Sequence, residues 1–415
     1  MDRRWSRSRL YLCGTHPPEC SLSGPPNRGP MRVTAIETIT YDDDADLTDT
    51  ERDIDITTLR VHTDEGVVGL GETFPQAGME GAALHGPIAD HVLGADPRDV
   101  QGLRDDLRTY FNYYGHAGAE MRALSALDVA CWDLKGRVAG EPIYQLLGGK
   151  AREEIPTYNT SYDQEYDFRT EPVALAESLL DQGVTSMKIW PFDEFAAKTR
   201  GQRISDADLE AGLEPIRRIR EAVGDEMDVA VEFHGLWALT PAEKLVRAVE
   251  PYDPLWVEDV IRKGDIDAYT RLSEATDAPL CVSERLIGRY EFGQAIRRGA
   301  IDVVMPDLCW TGGISEARAV ADMAESAPLP VAPHNSGGPV LHFADAHLSA
   351  TIPNLYVMET IRDRYDGWHR NLVTEPLSVE DGSLPVPEGP GLGTTFDESL
   401  LDHPGTEVRR TELDG

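Results

Sequence analysis

From Met31 onward the chain alternates between two rhythms. Met31-Arg-Val-Thr-Ala-Ile-Glu-Thr-Ile39 and Thr58-Leu-Arg-Val-His-Thr63 repeat every second residue, Asp64-Glu-Gly66 interrupts, and Val67-Val-Gly-Leu-Gly-Glu72 returns. A period of two marks strands with one buried face, and the interruption marks a hairpin turn. The glycines at 66, 69 and 71 lie inside this hairpin and open no helix, which argues against a nucleotide loop. The acidic run 42–49 between the first two strands reads as a mobile loop. Residues 87–147 change to a helical period, clearest over 123–135, where apolar side chains at 123, 124, 127, 130, 131 and 134 form one stripe. Gly148-Gly149 ends it. The pattern predicts an α+β domain over 31–150.

Beyond it, short apolar runs end at Tyr158, Trp190, Glu232, Glu258, Glu284, Pro306, Pro333 and Glu359, with amphipathic stretches such as 207–223 and 314–325 between them. A strand and its returning helix occupy about that length, so eight such ends predict a barrel of alternating strands and helices over 151–360. The interval from 190 to 232 is longer and carries a polar stretch at 193–203, expected to be an extra loop. Residues 361–415, rich in Gly and Pro, are expected to fold back against the first domain. A chain of 415 residues suits a barrel of about 250 residues plus a second domain.

Composition changes one part of this picture. Asp and Glu number 73 against 39 Lys and Arg, a net charge of −34, and only six of the 39 are Lys. That charge repels nucleic acid and anionic membranes, so neither is an expected partner. It also disfavours the compact state unless salt screens it, which points to a halophilic cytoplasm and a need for high salt. Cys131, Cys281 and Cys309 lie in apolar segments and read as core residues of a reducing compartment, whereas Cys13 and Cys20 fall in residues 1–30. That stretch has five Arg, two Pro-Pro pairs and no periodicity, and reads as a disordered extension or one not translated. Arg3-Arg4 precedes an apolar run too short for a signal peptide, and no run reaches membrane-spanning length.

Candidate chemistry sits at the strand ends. Glu232, Glu258 and Glu284 are 26 residues apart both times, so each closes a consecutive strand where barrel enzymes build their sites. Carboxylates gathered in one cleft raise each other's pKa, and a hard dication relieves them; oxygen-only donors select Mg²⁺ over Zn²⁺. Asp307 and His334 end neighbouring strands, and an Asp on one ring nitrogen would set the tautomer of the His. His234, two residues after Glu232, is expected to point the same way, as a fourth ligand, a structural His or a proton donor. Lys188 and Trp190 end the second strand. Glu359 ends the eighth and could hydrogen-bond a substrate oxyanion if protonated.

Four motifs resemble the enolase superfamily, and within it the mandelate-racemase-like sugar-acid dehydratases. They are Ala126-Leu-Asp-Val-Ala-Cys-Trp-Asp-Leu-Lys-Gly136 before Leu146-Leu-Gly-Gly149; the three spaced acids; Pro306-Asp307 with Gly312-Gly313-Ile314-Ser-Glu316; and Pro333-His334-Asn335. The resemblance covers nearly everything from Met31 and implies an α+β capping domain on a (β/α)7β barrel. It implies Mg²⁺ on Glu232, Glu258 and Glu284, His334 with Asp307 as base, and Glu359 as donor to an enediolate. It implies Lys188 on the substrate carboxylate, Trp190 and His234 in the substrate site, and a homo-oligomer, dimer or octamer.

Trp190 stands where racemising relatives usually carry a second base, and Asp307 where epimerases carry a Lys. Proton transfer on both faces is therefore disfavoured and elimination favoured. Glu-Phe-His-Gly at 232–235 resembles the Asp-Phe-His-Gly of galactonate-type dehydratases, in which the His protonates the departing hydroxyl; Glu232 departs from that pattern. The expectation is a Mg²⁺-dependent dehydratase of an aldonic or aldaric acid, giving a 2-keto-3-deoxy acid. Its rivals are a sugar-acid epimerase or cycloisomerase, a non-catalytic sugar-acid-binding relative, and a barrel aldolase using Lys188 as its Schiff base.

Overall fold

The computed structural model describes residues 30–41, 56–162 and 165–413. The readings placed on residues 1–29, including Cys13 and Cys20, and on the acidic run 42–49 lie outside them.

Three strands open the fold: β1 (Val33–Tyr41), β2 (Thr57–Thr63) and β3 (Val68–Thr73). β2 and β3 pair antiparallel about the expected turn, with Gly66 in the left-handed region (φ 75°). The helix Ala119–Ala139 packs on β3 at its glycines. A Cβ at Gly71 would lie 2.0 Å from the Ala126 carbonyl oxygen, and one at Gly69 would lie 2.3 Å from that of Ala130. These glycines serve close approach of a helix. The same helix presents two buried acids to neighbouring amides. Asp133 accepts from Leu70 at 2.9 Å and Leu392 at 2.8 Å, and Asp128 accepts from Ser315 at 3.0 Å.

The second sheet is the barrel. β4 (Glu154–Thr160), β5 (Ser186–Ile189), β6 (Asp228–Glu232), β7 (Val257–Glu258), β8 (Leu280–Val282), β9 (Val303–Val304) and β10 (Met358–Thr360) run parallel in sequence order. β10 closes on β4, with Glu359 opposite Tyr158. Between β9 and β10 the expected strand is reduced to single bridges, Val304 to Val331, Asp307 to His334 and Val331 to Leu355. Pro330 and Pro333 flank it and have no N–H to give a ladder. Helices fill the outside, including Asp206–Val223 and Gly313–Ser326, both within a residue or two of expectation. The stretch expected as a polar loop at 193–203 differs, since Asp193–Thr199 is a short helix.

After β10 the chain adds β11 (Ser383–Pro385) antiparallel to β4, then β12 (Thr406–Glu412) antiparallel to β1. The fold is thus the expected α/β barrel with an α+β capping domain. Among the described residues no helix is long and apolar enough to cross a membrane. Cys131, Cys281 and Cys309 are buried and unbridged.

Inside the barrel a buried cluster takes Tyr158, Ala230, Trp256, Cys281, Met305, Ala332 and Val357 from successive strands. Burying the larger of these side chains contributes about 1.5–3 kcal/mol each. Because alternate residues share a face, the next inward position on each strand is two residues on. Those positions are Thr160, Glu232, Glu258, Ser283, Asp307, His334 and Glu359. An apolar floor therefore carries a polar storey, and the storey holds Glu232, Glu258, Asp307, His334 and Glu359 of the expected site.

Candidate active site

Glu232 and Glu258 stand directly opposite each other on β6 and β7. Both are buried, and their carboxyl groups share a hydrogen bond. Lys188, 3% exposed, reaches between strands to Glu258 Oε1 at 2.9 Å and Glu359 Oε1 at 3.2 Å. Trp256 Nε1 donates to the other oxygen of Glu258 at 2.7 Å. Glu284 lies one residue past the inward position of β8, which Ser283 occupies; the Ser283 hydroxyl donates to Glu284 and, at 2.8 Å, to Asp259 Oδ2. Arg285 Nε pairs with Asp259 at 2.5 Å.

Opposite this acid cluster is the expected pair. Asp307 and His334 are bridge partners, and His334 Nδ1 hydrogen-bonds Asp307 Oδ2 at 2.7 Å. The backbone N–H of Cys309 holds Asp307 Oδ1 at 2.6 Å. His334 Nε2 faces between Glu284 and Glu359, 3.7 Å from each and beyond hydrogen-bond reach. Burial pulls the ring's pKa down, but the charges of Glu359, Glu284 and Asp307 outweigh it and raise it to about 10.

Two expectations turn on the charge of buried groups. Glu359 was expected to donate if protonated. Burial would raise its pKa, yet Lys188 and His334, with hydrogen bonds from Thr160 and the Asn335 amide, bring it below the usual value. In this arrangement it accepts hydrogen bonds from the Thr160 hydroxyl and the Asn335 amide. The aldolase reading needed a neutral Lys188. Burial lowers its pKa, but Glu258 and Glu359 hold it well above the ordinary value, so it is a buried cation.

His234 also departs from expectation. Strand alternation stops at Glu232, and His234 sits in the left-handed region (φ 50°), its N–H donating back to Glu232. Its Nδ1 hydrogen-bonds Asp193 Oδ2 at 2.6 Å. The ring stands edge-on to Trp190, centroids 5.9 Å apart, and Trp190 packs on Tyr162 and Phe168. Asp193 was missed because its polar run reads as a loop. Asp259 and Ser283 were missed because neither falls on the spacing of the three glutamates.

Among the described residues, no three His, Cys, Asp or Glu side chains are arranged around a common point as metal ligands. Each glutamate has a partner within the protein: Glu258 with Lys188 and Trp256, Glu232 with Glu258, and Glu284 with Ser283. The chemistry of the set nevertheless fits a hard dication. All its donors are oxygens, and the charge is buried. Burial, then the charge of Asp259, raises Glu232 to about 7; burial, then Glu232, pushes Glu258 well above the usual range. Positive charge is what such a cluster lacks.

A barrel mouth lined by acids, a buried His–Asp pair and a strand-end Lys under an α+β cap defines the enolase superfamily. The family model for the N-terminal domain of mandelate racemase and muconate lactonizing enzymes matches residues 36–148, and the enolase C-terminal domain-like model matches 171–400. The chain belongs to this superfamily. A D-gluconate dehydratase of Thermoproteus tenax is 32% identical over 345 residues, 83% of this chain and 68% of that protein. A D-galactonate dehydratase of Ralstonia nicotianae is 32% identical over 358 residues, 83% of this chain and 89% of that one. A crystal structure of an enolase of the mandelate racemase subgroup from Agrobacterium tumefaciens superposes with a TM-score of 0.82 at 42% identity, covering 92% of this chain and 99% of that one.

Proposed function

We propose that this chain is a hydro-lyase that removes water from an aldonic or aldaric acid to give a 2-keto-3-deoxy acid. The observation that carries the reading is two His–Asp pairs, His334–Asp307 in the barrel wall beside Glu284 and Glu359, and His234–Asp193 just past β6, with the His234 N–H on Glu232. Glu232, Glu258 and Glu284 would hold Mg²⁺, whose charge offsets the second negative charge that forms on a carboxylate when its α-proton leaves.

His334 Nε2 takes the C2 proton, and the electron pair moves into the substrate carboxylate as an enediolate. For this the ring must be neutral; a cation held by Glu284 would offset one of the charges, after that of Glu359, that favour its protonated form. Lys188 lies cationic beside the cluster and offers its charge to the substrate carboxylate. Collapse of the enediolate forms the C2–C3 double bond and expels the C3 hydroxyl, which leaves as water with a proton from His234 Nε2. Asp193 on Nδ1 orients that ring. The enol then takes a proton at C3 and becomes the 2-keto acid. Trp190 cannot take a proton and Lys188 is held cationic, so neither serves as a base on a second face.

The test is isotopic. In D₂O, His334→Asn should end both C2–H exchange and keto-acid formation, whereas His234→Asn should keep exchange and lose elimination. Deuterium in recovered, C2-inverted substrate would instead identify an epimerase. The acid excess, on the same reading, suits a cytoplasm of high salt, and the resemblance to the superfamily suggests a homo-oligomer; full activity after dialysis into dilute buffer would overturn the salt dependence.

A further inference from the structure

Glu72 ends β3, far in sequence from any strand of the barrel, and is 1% exposed. Its carboxylate accepts the backbone N–H of Gly338 at 2.6 Å and that of Val340 at 3.1 Å, with a third bond from Leu341. These amides belong to the N-cap and first turn of the helix Pro339–Thr351. They have no partner within the helix, and a carboxylate there also meets the positive end of its dipole.

That helix begins just after His334. Between the two, the Asn335 N–H donates to Glu359 Oε2 at 2.8 Å, and its side-chain amide donates to Asp345 Oδ2 at 2.8 Å. The segment bearing His334 is therefore held at one end by a barrel acid and at the other by an acid of the capping sheet. A second tether runs from the same residue. The Glu72 carbonyl oxygen accepts from Cys309 Sγ at 3.1 Å, and the Cys309 N–H holds Asp307. Two residues on, Phe74 packs against Trp310 with centroids 5.6 Å apart, and Trp310 lies 6.2 Å from the His334 ring.

The carboxylate has little room to move. A Cβ at Gly338 would lie 2.7 Å from Glu72 Oε2, and one at Gly337 would lie 2.9 Å from Oε1. One residue thus touches the segments that carry both members of the pair, and it does so without approaching the acid cluster.

We propose that Glu72 is a positioning residue that sets the separation and orientation of His334 and Asp307, so that the pair is assembled only against the capping sheet. The proposal rests on the reading of His334 as the base, and its test separates the two. Glu72→Gln keeps one acceptor oxygen, Glu72→Ala keeps none, and Gly338→Ala crowds the same contact from the other side. kcat should fall about tenfold in Glu72→Gln and about a hundredfold in the other two, with KM within about twofold, since a displacement near 1 Å costs on that order. The downfield proton resonance of His334 Nδ1–H, identified by its loss in His334→Asn, should shift or broaden in all three. Urea unfolding of each variant reports stability separately.

Glu72 acting only as a helix cap would lower stability while leaving both kcat and the resonance in place, and that result overturns the proposal. If Glu72→Ala does not fold, Glu72→Gln and Gly338→Ala decide. The resonance is read without substrate, so if no aldonate is dehydrated by the parent enzyme, the functional reading fails and the positioning of the pair is still judged.

Discussion

The molecule builds a His–Asp pair twice, from the same parts and to opposite ends. In His334–Asp307 the two residues are bridge partners in the barrel wall, and the His side chain is 9% exposed. In His234–Asp193 the His lies on a left-handed turn, the Asp on a short helix outside the sheet, and the His side chain is 32% exposed. Their hydrogen bonds are alike, 2.7 Å and 2.6 Å. Their surroundings are not. Three carboxylates surround the buried ring, whereas an indole edge and solvent meet the outer one. A short bond to a carboxylate therefore says little about what a histidine does; the charges around it and the rigidity of its support say more. A buried ring braced on two sides suits removal of a proton from carbon, and a ring at the rim suits delivery of one to departing water.

The contrast can be broken in several ways. The largest effect is expected from His334→Asn, which should lower both C2–H exchange and keto-acid formation by about 10³–10⁴, the upper part of the range of about 10²–10⁴ that a positioned base contributes. Chelation of divalent cations should stop turnover to a similar degree, with recovery on adding Mg²⁺ and no return of activity in Glu258→Gln. Next is His234→Asn, expected to lower elimination by about 10²–10³ while exchange continues; if the two fall together, both histidines serve one step and the division of labour is lost. Asp193→Asn should cost elimination about tenfold, because a rim histidine can find its tautomer with water in place of the carboxylate. Asp307→Asn should cost both reactions more than that, since its partner is dry.

The smallest effect concerns the brace. Burial, against the bonds from Gly338, Val340 and Leu341 and the charge of Arg364, raises Glu72 to about 7. A carboxyl whose folded pKa is raised contributes fully below its unfolded value near 4.5, and that contribution is lost as pH rises through 7. The difference in unfolding free energy between the parent and Glu72→Gln should therefore slope between pH 4.5 and 7 and flatten above. A flat difference throughout would mean that Glu72 is solvated in solution.

Much of this was legible in the chain because strands leave a repeating trace. The ends at Glu232, Glu258 and Glu359 fall within a residue of those observed, and Asp307 and His334 meet as register neighbours. Glu284 is the instructive exception. It kept the spacing of the other acids, yet Ser283 holds the inward position. What escaped the sequence depends on contacts between segments far apart in the chain. Asp193 hid in a polar run because a helix of seven residues leaves almost no period. The lowered pKa of Glu359 follows from Lys188, His334, Thr160 and Asn335 together, and no local pattern announces that meeting. Glu72 looked like the end of a hairpin and nothing more.

The two storeys inside the barrel have a consequence for how such a protein can change. Floor and upper storey are written on the same strands, two residues apart, yet they answer to different demands. Tyr158, Ala230, Cys281, Met305, Ala332 and Val357 are judged by whether they fill space, and Trp256 alone among the floor residues named also donates to a glutamate above it. The layer above is judged by what it does to a substrate. Variation confined to the upper layer can then rewrite the reaction while the chain still finds its shape, and variation in the floor erases both at once. A barrel laid out in this way keeps its shape and its chemistry in separate registers, so one can be revised without re-solving the other.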